Sequence, residues 1–196
     1  NSLQDLLVII SGRAPSAEVV INDWGMLDIV KKHNLKAVIG RLLTKQRRDP
    51  RILNLKEKLT LSAEERSKSA GIGPNLVGFL KNKSIERLEI DNLPQGIQLA
   101  GNISLEGVHF SLYFPFNYVT TSRLCIFNNN SLQPERVFSS KCARKCRASP
   151  IVLRHYTMPL PLYLKGNTIF LENRKMPDYL AEEGIDRIVY QPHIPM

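Results

Sequence analysis

Residues 18–40, EVVINDWGMLDIVKKHNLKAVIG, predict the class of the fold. The segment begins with an apolar run at 18–22 and ends with another at 36–40. Between the two runs, residues 25–33 place apolar side chains at helical spacing. Neither apolar run alternates with polar residues, so we expect both strands to be covered on both faces. Two such strands joined by a helix are typical of a parallel sheet with helices on its surface.

The alternation of strand and helix continues on both sides of this unit. We predict further strands at 6–10 and 85–90, and further helices at 54–68 and from residue 74 onward. After residue 100 the alternation stops, and the predicted elements are strands at 103–114, 124–127, 160–164, 168–171 and 185–190 and a helix at 177–183. The fold class is therefore α/β, and units of this size are typical of a TIM-barrel-like fold.

The length of the chain favours a partial barrel. A complete barrel needs about 250 residues, and this chain has 196. We expect a single domain over 1–196, composed of a partial barrel at 1–124, a cysteine-rich insertion at 125–150 and a strand–helix–strand unit at 151–196. The chain begins with Asn1 rather than methionine, and we expect a processed form or a fragment.

The three cysteines suggest a metal site. Cys125, Cys142 and Cys146 lie within 22 residues, spaced C-x16-C-x3-C. Charged residues flank Cys142 and Cys146, which does not suit a thiol buried among apolar side chains. The set fits most of the ligands of an iron–sulfur cluster or of a zinc ion. Inert thiols, or a disulfide with one thiol left over, are the alternatives.

The charge balance favours acidic partners. The formal net charge is +9, with basic residues concentrated at 45–51 and 141–154. Nucleic acid leads the list of such partners, although a basic protein without that function has the same composition. No apolar run approaches the ~18 residues of a membrane span, and no secretory or transit segment begins the chain. We therefore expect a cytoplasmic protein without a membrane span.

Four phrases of the sequence match a known family. Together with the spacing of Cys142 and Cys146, they resemble the bacterial U32 "peptidase" family; the phrases are EVVINDWGML at 18–27, VIGRLLTKQRRDPR at 38–51, RLEIDNLPQG at 87–96 and YVTTSRLC at 118–125. The resemblance extends over most of residues 15–196. One departure is Ser122, where the family phrase has glycine.

The resemblance implies a TIM-barrel-like fold and, in many members, a [4Fe–4S] cluster held by four cysteines. Three of those ligands would map onto Cys125, Cys142 and Cys146. The fourth would lie far upstream, where this chain has no cysteine. The fourth ligand would then come from a missing N-terminal half or a partner subunit. The alternative is that this chain binds no cluster or an incomplete one.

The resemblance also implies three classes of function. Characterised relatives include oxygen-independent hydroxylases that act on RNA bases or in ubiquinone synthesis, and we expect an iron–sulfur-dependent enzyme of that type. The first alternative is a peptidase, although the sequence contains no H-E-x-x-H or G-x-S-x-G motif. The second is a non-catalytic module that binds RNA or a partner.

Polar residues at the ends of predicted strands are the candidates for substrate binding. In a parallel barrel the site forms at the carboxyl ends of the strands. The candidates there are Asn22, Arg41, Asn92 and Arg123, whereas Asp23 precedes a helix and is better explained as a cap. An arginine that ends a buried strand needs an anionic partner, so Arg41 predicts either a carboxylate of the protein or an anionic small molecule.

Overall fold

The computed structural model describes residues 2–55, 60, 74–99, 107–122, 125, 144–178, 180 and 184–195. Within them the chain forms four helices, nine strands and a 3₁₀ turn at Lys145–Arg147. In chain order the elements are α1 (Ser2–Arg13), β1 (Glu18–Ile21), α2 (Met26–Lys32), β2 (Lys36–Ile39), α3 (Ile52–Leu55), α4 (Pro74–Asn82), β3 (Arg87–Asp91), β4 (His109–Phe114), β5 (Phe116–Thr121), β6 (Ile151–Leu153), β7 (Leu162–Lys165), β8 (Thr168–Glu172) and β9 (Ile185–Tyr190).

The strands form two sheets. The larger sheet is parallel throughout, in the order β1-β2-β3-β4-β9. The smaller sheet is antiparallel, in the order β5-β8-β7-β6. The predicted α/β class and the strand–helix–strand unit at 18–40 are confirmed. The described residues form no closed barrel.

The hydrophobic core lies between the parallel sheet and its helices. Leu88 and Ile90 of β3 are fully buried there, beside Val30 of α2 and Leu80 of α4. Each such side chain contributes about 1.5–3 kcal/mol by leaving water. Because successive residues of a strand point to opposite faces, Arg87, Glu89 and Asp91 lie on the other face of β3.

That second face is concave. In a flat sheet, strands about 4.8 Å apart would place β1 and β9 about 19 Å from each other, beyond the combined reach of two side chains. Yet Glu18 of β1 forms an ion pair with Arg187 of β9, and Glu18 also contacts Arg87 of the central strand. The parallel sheet is therefore curled, and its two edge strands approach each other across the concave face.

The strand predicted at 6–10 is wrong, because these residues belong to helix α1. A short run of five apolar residues has neither a strand nor a helix period, and flanking residues with good helix propensity extend it into a helix. Leu7 is buried in the core, whereas Leu6 is 51% exposed. Three predicted elements lie largely outside the described residues and are not tested. They are the helices at 54–68 and 177–183 and the strand at 124–127. In the described ranges no helix is long and apolar enough to cross a membrane.

Candidate functional site

Asp91, the last residue of β3, is the centre of a polar cluster at the carboxyl end of the parallel sheet. Its carboxylate is fully buried. Oδ1 accepts hydrogen bonds from Arg41 Nη1 and from the backbone N–H of Tyr118, each at 3.0 Å. Oδ2 accepts from Arg48 Nε at 2.7 Å. The side-chain amide of Gln46 pairs with the backbone N–H and C=O of Asp91. These five residues are called the Asp91 cluster below.

The position of Arg41 after a buried strand predicted an anionic partner. That partner is a carboxylate of the protein, Asp91. Its Nη1 atom also donates to the carbonyl of Phe116 at 3.1 Å, so the guanidinium connects the parallel sheet to the start of β5. The guanidinium carbon lies 4.0 Å from the centre of the Tyr113 ring, a cation–π contact. Arg41 is thus fixed in place by Asp91, Phe116 and Tyr113.

Arg48 completes the cluster, and the sequence did not single it out. Its Nη1 and Nη2 atoms donate to backbone carbonyls of Arg41 and Thr44 and to the side chains of Thr44 and Gln46. Its remaining donor, Nε, is bound to Asp91. Arg48 therefore shapes the loop that follows β2, and its donors are used within the protein. The basic run at 45–51 was the sequence signal, but it was interpreted only as part of a charge excess that favours acidic partners.

The cluster has more positive than negative charge. Two guanidinium groups face the single carboxylate of Asp91, an excess of one positive charge within these five residues. The Glu89 carboxyl group beside them also interacts with Arg41. Such an excess in a partly buried position attracts an anion.

Glu89 lies on the same face of β3, two residues before Asp91, in a very different environment. Burial raises the pKa of its carboxyl group, although the Tyr113 hydroxyl donates to Oε2 at 3.0 Å. Burial also raises the pKa of Tyr113. Asp91 accepts hydrogen bonds from two guanidinium groups, whereas Glu89 accepts one from the phenol hydroxyl of Tyr113. Burial therefore favours the protonated form of Glu89, whereas two guanidinium groups surround Asp91.

An amphipathic groove of about 420 Å³ opens beside the cluster, between the loop after β2 and the antiparallel sheet. One wall is polar and the other is largely apolar; the lining residues are Gln46, Arg48, Asp49, Pro50 and Arg51 on the first, and Val119, Thr120, Met158, Leu162 and Ile169 on the second. We call it the inter-sheet groove. Its volume is within the range of about 300–1,000 Å³ that small-molecule sites occupy.

The two asparagine candidates have structural contacts of their own. The exposed Asn22 accepts a hydrogen bond from the backbone N–H of Leu42 and packs against Gly40, where any Cβ atom would lie 2.2 Å from Asn22 Oδ1. Asn92 is buried and its amide donates to the carbonyl of Lys175 at 2.9 Å. The carbonyl of Asn92 in turn accepts from Asn117 at 2.6 Å.

Asp23 makes a local turn contact rather than the predicted helix cap, because the N-cap residue of α2 is Gly25 and no side-chain hydrogen bond caps the helix there. Its carboxylate accepts a hydrogen bond from the backbone N–H of Gly25 at 2.6 Å, immediately before α2. Such a contact satisfies one of the backbone donors at the start of the helix region. Asp23 therefore has a local role.

The predicted metal ligands are only partly within the described residues. Cys125 and Cys146 are half-buried free thiols, and Cys146 lies in the 3₁₀ turn, near Gly166. Cys142 and Arg123 lie outside the described residues, so the convergence of the three sulfurs and the role of Arg123 stay predictions. Among the described residues, no three His, Cys, Asp or Glu side chains are grouped to hold a metal ion.

No family model matches the chain, and comparisons with curated proteins and with solved structures find no match either. The U32 resemblance consequently depends on the four sequence phrases and the cysteine spacing alone.

Proposed function

We propose that the chain is an iron–sulfur-dependent enzyme of the oxygen-independent hydroxylase type, built on part of a TIM-barrel-like fold. Its substrate would be RNA or a small aromatic or quinone compound. The observation that carries the proposal is the Asp91 cluster, which places two arginines around one buried carboxylate beside the inter-sheet groove at the carboxyl end of a parallel sheet. Parallel α/β folds bind their ligands at that end.

The inter-sheet groove supports a substrate that combines a flat apolar part with a negative charge. Val119, Leu162 and Ile169 offer an apolar surface on the side of the antiparallel sheet. On the opposite side, Arg51 is exposed, and its ion-pair partner among the described residues is Asp49, two residues away. An exposed pair of this kind is easily exchanged for another anion. A nucleobase with its phosphate and an anionic aromatic ring both have the required combination.

The donor set of the cysteine-rich segment suits the cofactor. Cys125 and Cys146 are free thiols, and Cys142 would join them as the third ligand. Soft thiolate ligands favour iron–sulfur clusters or zinc over hard cations. When bound, a cluster would supply electron transfer or substrate activation. The described residues would position the substrate. Asp91 would hold the guanidinium groups of Arg41 and Arg48 in place, and the groove walls would orient the aromatic ring.

His109 and His155 give no support to the peptidase alternative. His109 Nδ1 lies 3.1 Å from Asp186, at the amino end of the parallel sheet and therefore at the opposite end from the Asp91 cluster. His155 Nδ1 contacts the hydroxyl of Thr157 in an exposed turn. Neither histidine is paired with a nucleophile in a groove.

Metal analysis after anaerobic purification tests the cofactor. We expect iron and acid-labile sulfide in the wild-type protein, and their loss in Cys125→Ser, Cys142→Ser and Cys146→Ser variants. Ser149→Ala, an exposed change in the same segment, is the matched control and should retain the iron. Iron-free wild-type protein that still turns over a substrate would contradict the proposal.

Binding measurements test the substrate class separately. A labelled single-stranded RNA and a soluble short-chain quinone are the two probes. We expect Arg51→Ala to weaken binding of whichever probe is the substrate and to leave the iron content unchanged. Salt-sensitive RNA binding by a protein that never incorporates iron would instead favour the non-catalytic module.

A further inference from the structure

A second groove lies on the helix-covered side of the parallel sheet, between α2 and α4. It has a volume of about 580 Å³. Trp24 and Phe79 form part of its wall, with their rings edge to face and their centres 5.3 Å apart. Both rings are partly open to solvent, at 42% and 37% exposed. We call it the helix groove.

The floor of the helix groove is apolar and its rim is mostly basic. Leu27, Leu43 and Leu76 line it together with the two rings, and Lys45, Lys83 and Asp28 contribute the charges. Within the described part of the chain, neither lysine ammonium forms an ion pair. Lys83 is held in position through its backbone carbonyl, which accepts a hydrogen bond from Lys31.

We propose that the helix groove binds a small planar aromatic anion. An edge-to-face pair of rings leaves aromatic surface on which a third ring can stack or pack edge-on, and such contacts add to the free energy of burial alone. The volume matches a drug-sized ligand, and predominantly apolar walls with a few charged groups are the usual composition of such sites. Two ammonium groups against one carboxylate select a negative charge on the ligand.

This site is separate from the one proposed above. The helix groove is lined by α2, α4 and the loop after β2, whereas the inter-sheet groove is lined by the loop after β2 and the antiparallel sheet. The proposal needs no metal and no catalysis. It therefore stands or fails independently of the iron–sulfur enzyme.

The chain offers a direct reporter for this proposal. Trp24 is its single tryptophan, so the tryptophan emission comes from the groove itself. The probes are anilinonaphthalene sulfonate, an aromatic anion, and phenylnaphthylamine, its uncharged counterpart. We expect the sulfonate to quench Trp24 and to saturate at one equivalent, with tighter binding than the uncharged dye.

Variants separate the two parts of the recognition. A Lys45→Ala/Lys83→Ala double change should weaken the sulfonate by about threefold to tenfold, the range for two partly exposed ion pairs, and leave the uncharged dye unchanged. Phe79→Ala should weaken both dyes, and Phe79→Leu serves if the alanine variant does not fold. Lys36→Ala, which removes a lysine at the amino end of β2, is the control and should change neither.

Two results would overturn the proposal. Equal quenching by the charged and uncharged dyes, unaffected by the double lysine change, would mean an apolar patch without selectivity for anions. Quenching of Trp24 by a single-stranded oligonucleotide at far lower concentration than by the sulfonate, with a steep salt dependence, would make the surface a nucleic-acid interface instead.

Discussion

The parallel sheet has a cluster of ion pairs at each end, and the two clusters differ in burial. At the carboxyl end, Asp91 is fully buried between Arg41 and Arg48. At the amino end, Glu18, Arg87, Asp186 and Arg187 form a chain of pairs across the concave face, which we call the amino-end cluster. Asp186 is 43% exposed there.

The difference shows that ion pairs between the same kinds of residue stabilise the two ends of the sheet to different extents. A buried carboxylate with two arginines and two further hydrogen-bonding partners fixes a loop and the start of β5 in one arrangement. At the amino end Arg87 is as little exposed as Arg41, but its partners and Arg187 are 30–45% exposed, and pairs open to water in this way contribute little free energy. The polar contacts therefore fix the carboxyl end of the sheet, where ligands would bind, in one arrangement. At the amino end, the ion pairs between β1 and β9 hold the two edge strands together only weakly.

The largest expected effect comes from Asp91→Asn. The change removes the negative charge with which two largely buried guanidinium groups pair, and breaking a buried pair in this way costs about 3–5 kcal/mol. Urea unfolding should show this loss in the free energy of unfolding. Asp186→Asn at the amino end is the matched control and should cost less than about 1 kcal/mol. Equal losses in the two variants would abolish the distinction between the clusters.

Gly40→Ala probes the packing beside the Asp91 cluster. The added Cβ atom would lie 2.8 Å from the carbonyl oxygen of Ile21 as well as against Asn22, so backbone must move. Overpacking of this kind costs about 1–3 kcal/mol. Gly78→Ala is the control, because a Cβ atom there meets nothing within 4 Å in helix α4. Its better helix propensity should raise stability by about 0.5–1 kcal/mol.

The sequence predicted the strands of the parallel sheet because their signal is local. The apolar runs at 18–22, 36–40 and 185–190 each identified a strand, within a residue or so of its ends. The run at 6–10 failed for a physical reason: five apolar residues do not distinguish a strand from a turn and a half of helix. The order of the strands within the sheet had no such local signal beyond the strand–helix alternation.

The polar clusters could be predicted only in part. The position of Arg41 after a buried strand predicted an anionic partner, and that partner is a carboxylate of the chain. Its identity depends on a contact 50 residues away, which no local pattern encodes. Arg48 was hidden within a run of charges, and its burial follows from the folded loop alone. Cys142 lies outside the described residues, so the cysteine ligand set stays a prediction.

Glu89→Gln tests whether burial alone distinguishes the two carboxyl groups of β3. Because the raised pKa means that the folded state holds this proton more tightly, Glu89 lowers stability as the pH rises above its ordinary value of 4.5. Glutamine removes that loss, and the Tyr113 hydroxyl can rotate to suit an amide. At neutral pH we expect unchanged stability or a gain of up to about 1 kcal/mol. Glu86→Gln, an exposed change, is the control.

The pH profile of the Glu89→Gln variant sharpens the test. The difference in unfolding free energy between variant and wild type should be smallest in acid and should grow as the pH rises through the raised pKa. A large loss at neutral pH, comparable with that of Asp91→Asn, would mean that the charged form of Glu89 is stabilised after all.

The smallest effect is expected from Arg187→Ala in the amino-end cluster. The hydrogen bond from Arg187 lowers the pKa of Glu18 below 4.5, and that from Arg87 lowers the pKa of Asp186 below 3.8. Carboxyl groups with lowered pKa values contribute stability that is present above their unfolded values and is lost as the pH falls through the lowered ones. Because the Arg187 and Glu18 side chains are 45% and 30% exposed, removal of the pair should cost only about 0.2–1 kcal/mol at neutral pH. That cost should vanish in about 1 M salt, where the screening length is near 3 Å, and again in acid. A salt-insensitive cost would show that this pair is shielded from solvent, and that the two edges of the curled sheet are held together as firmly as its carboxyl end.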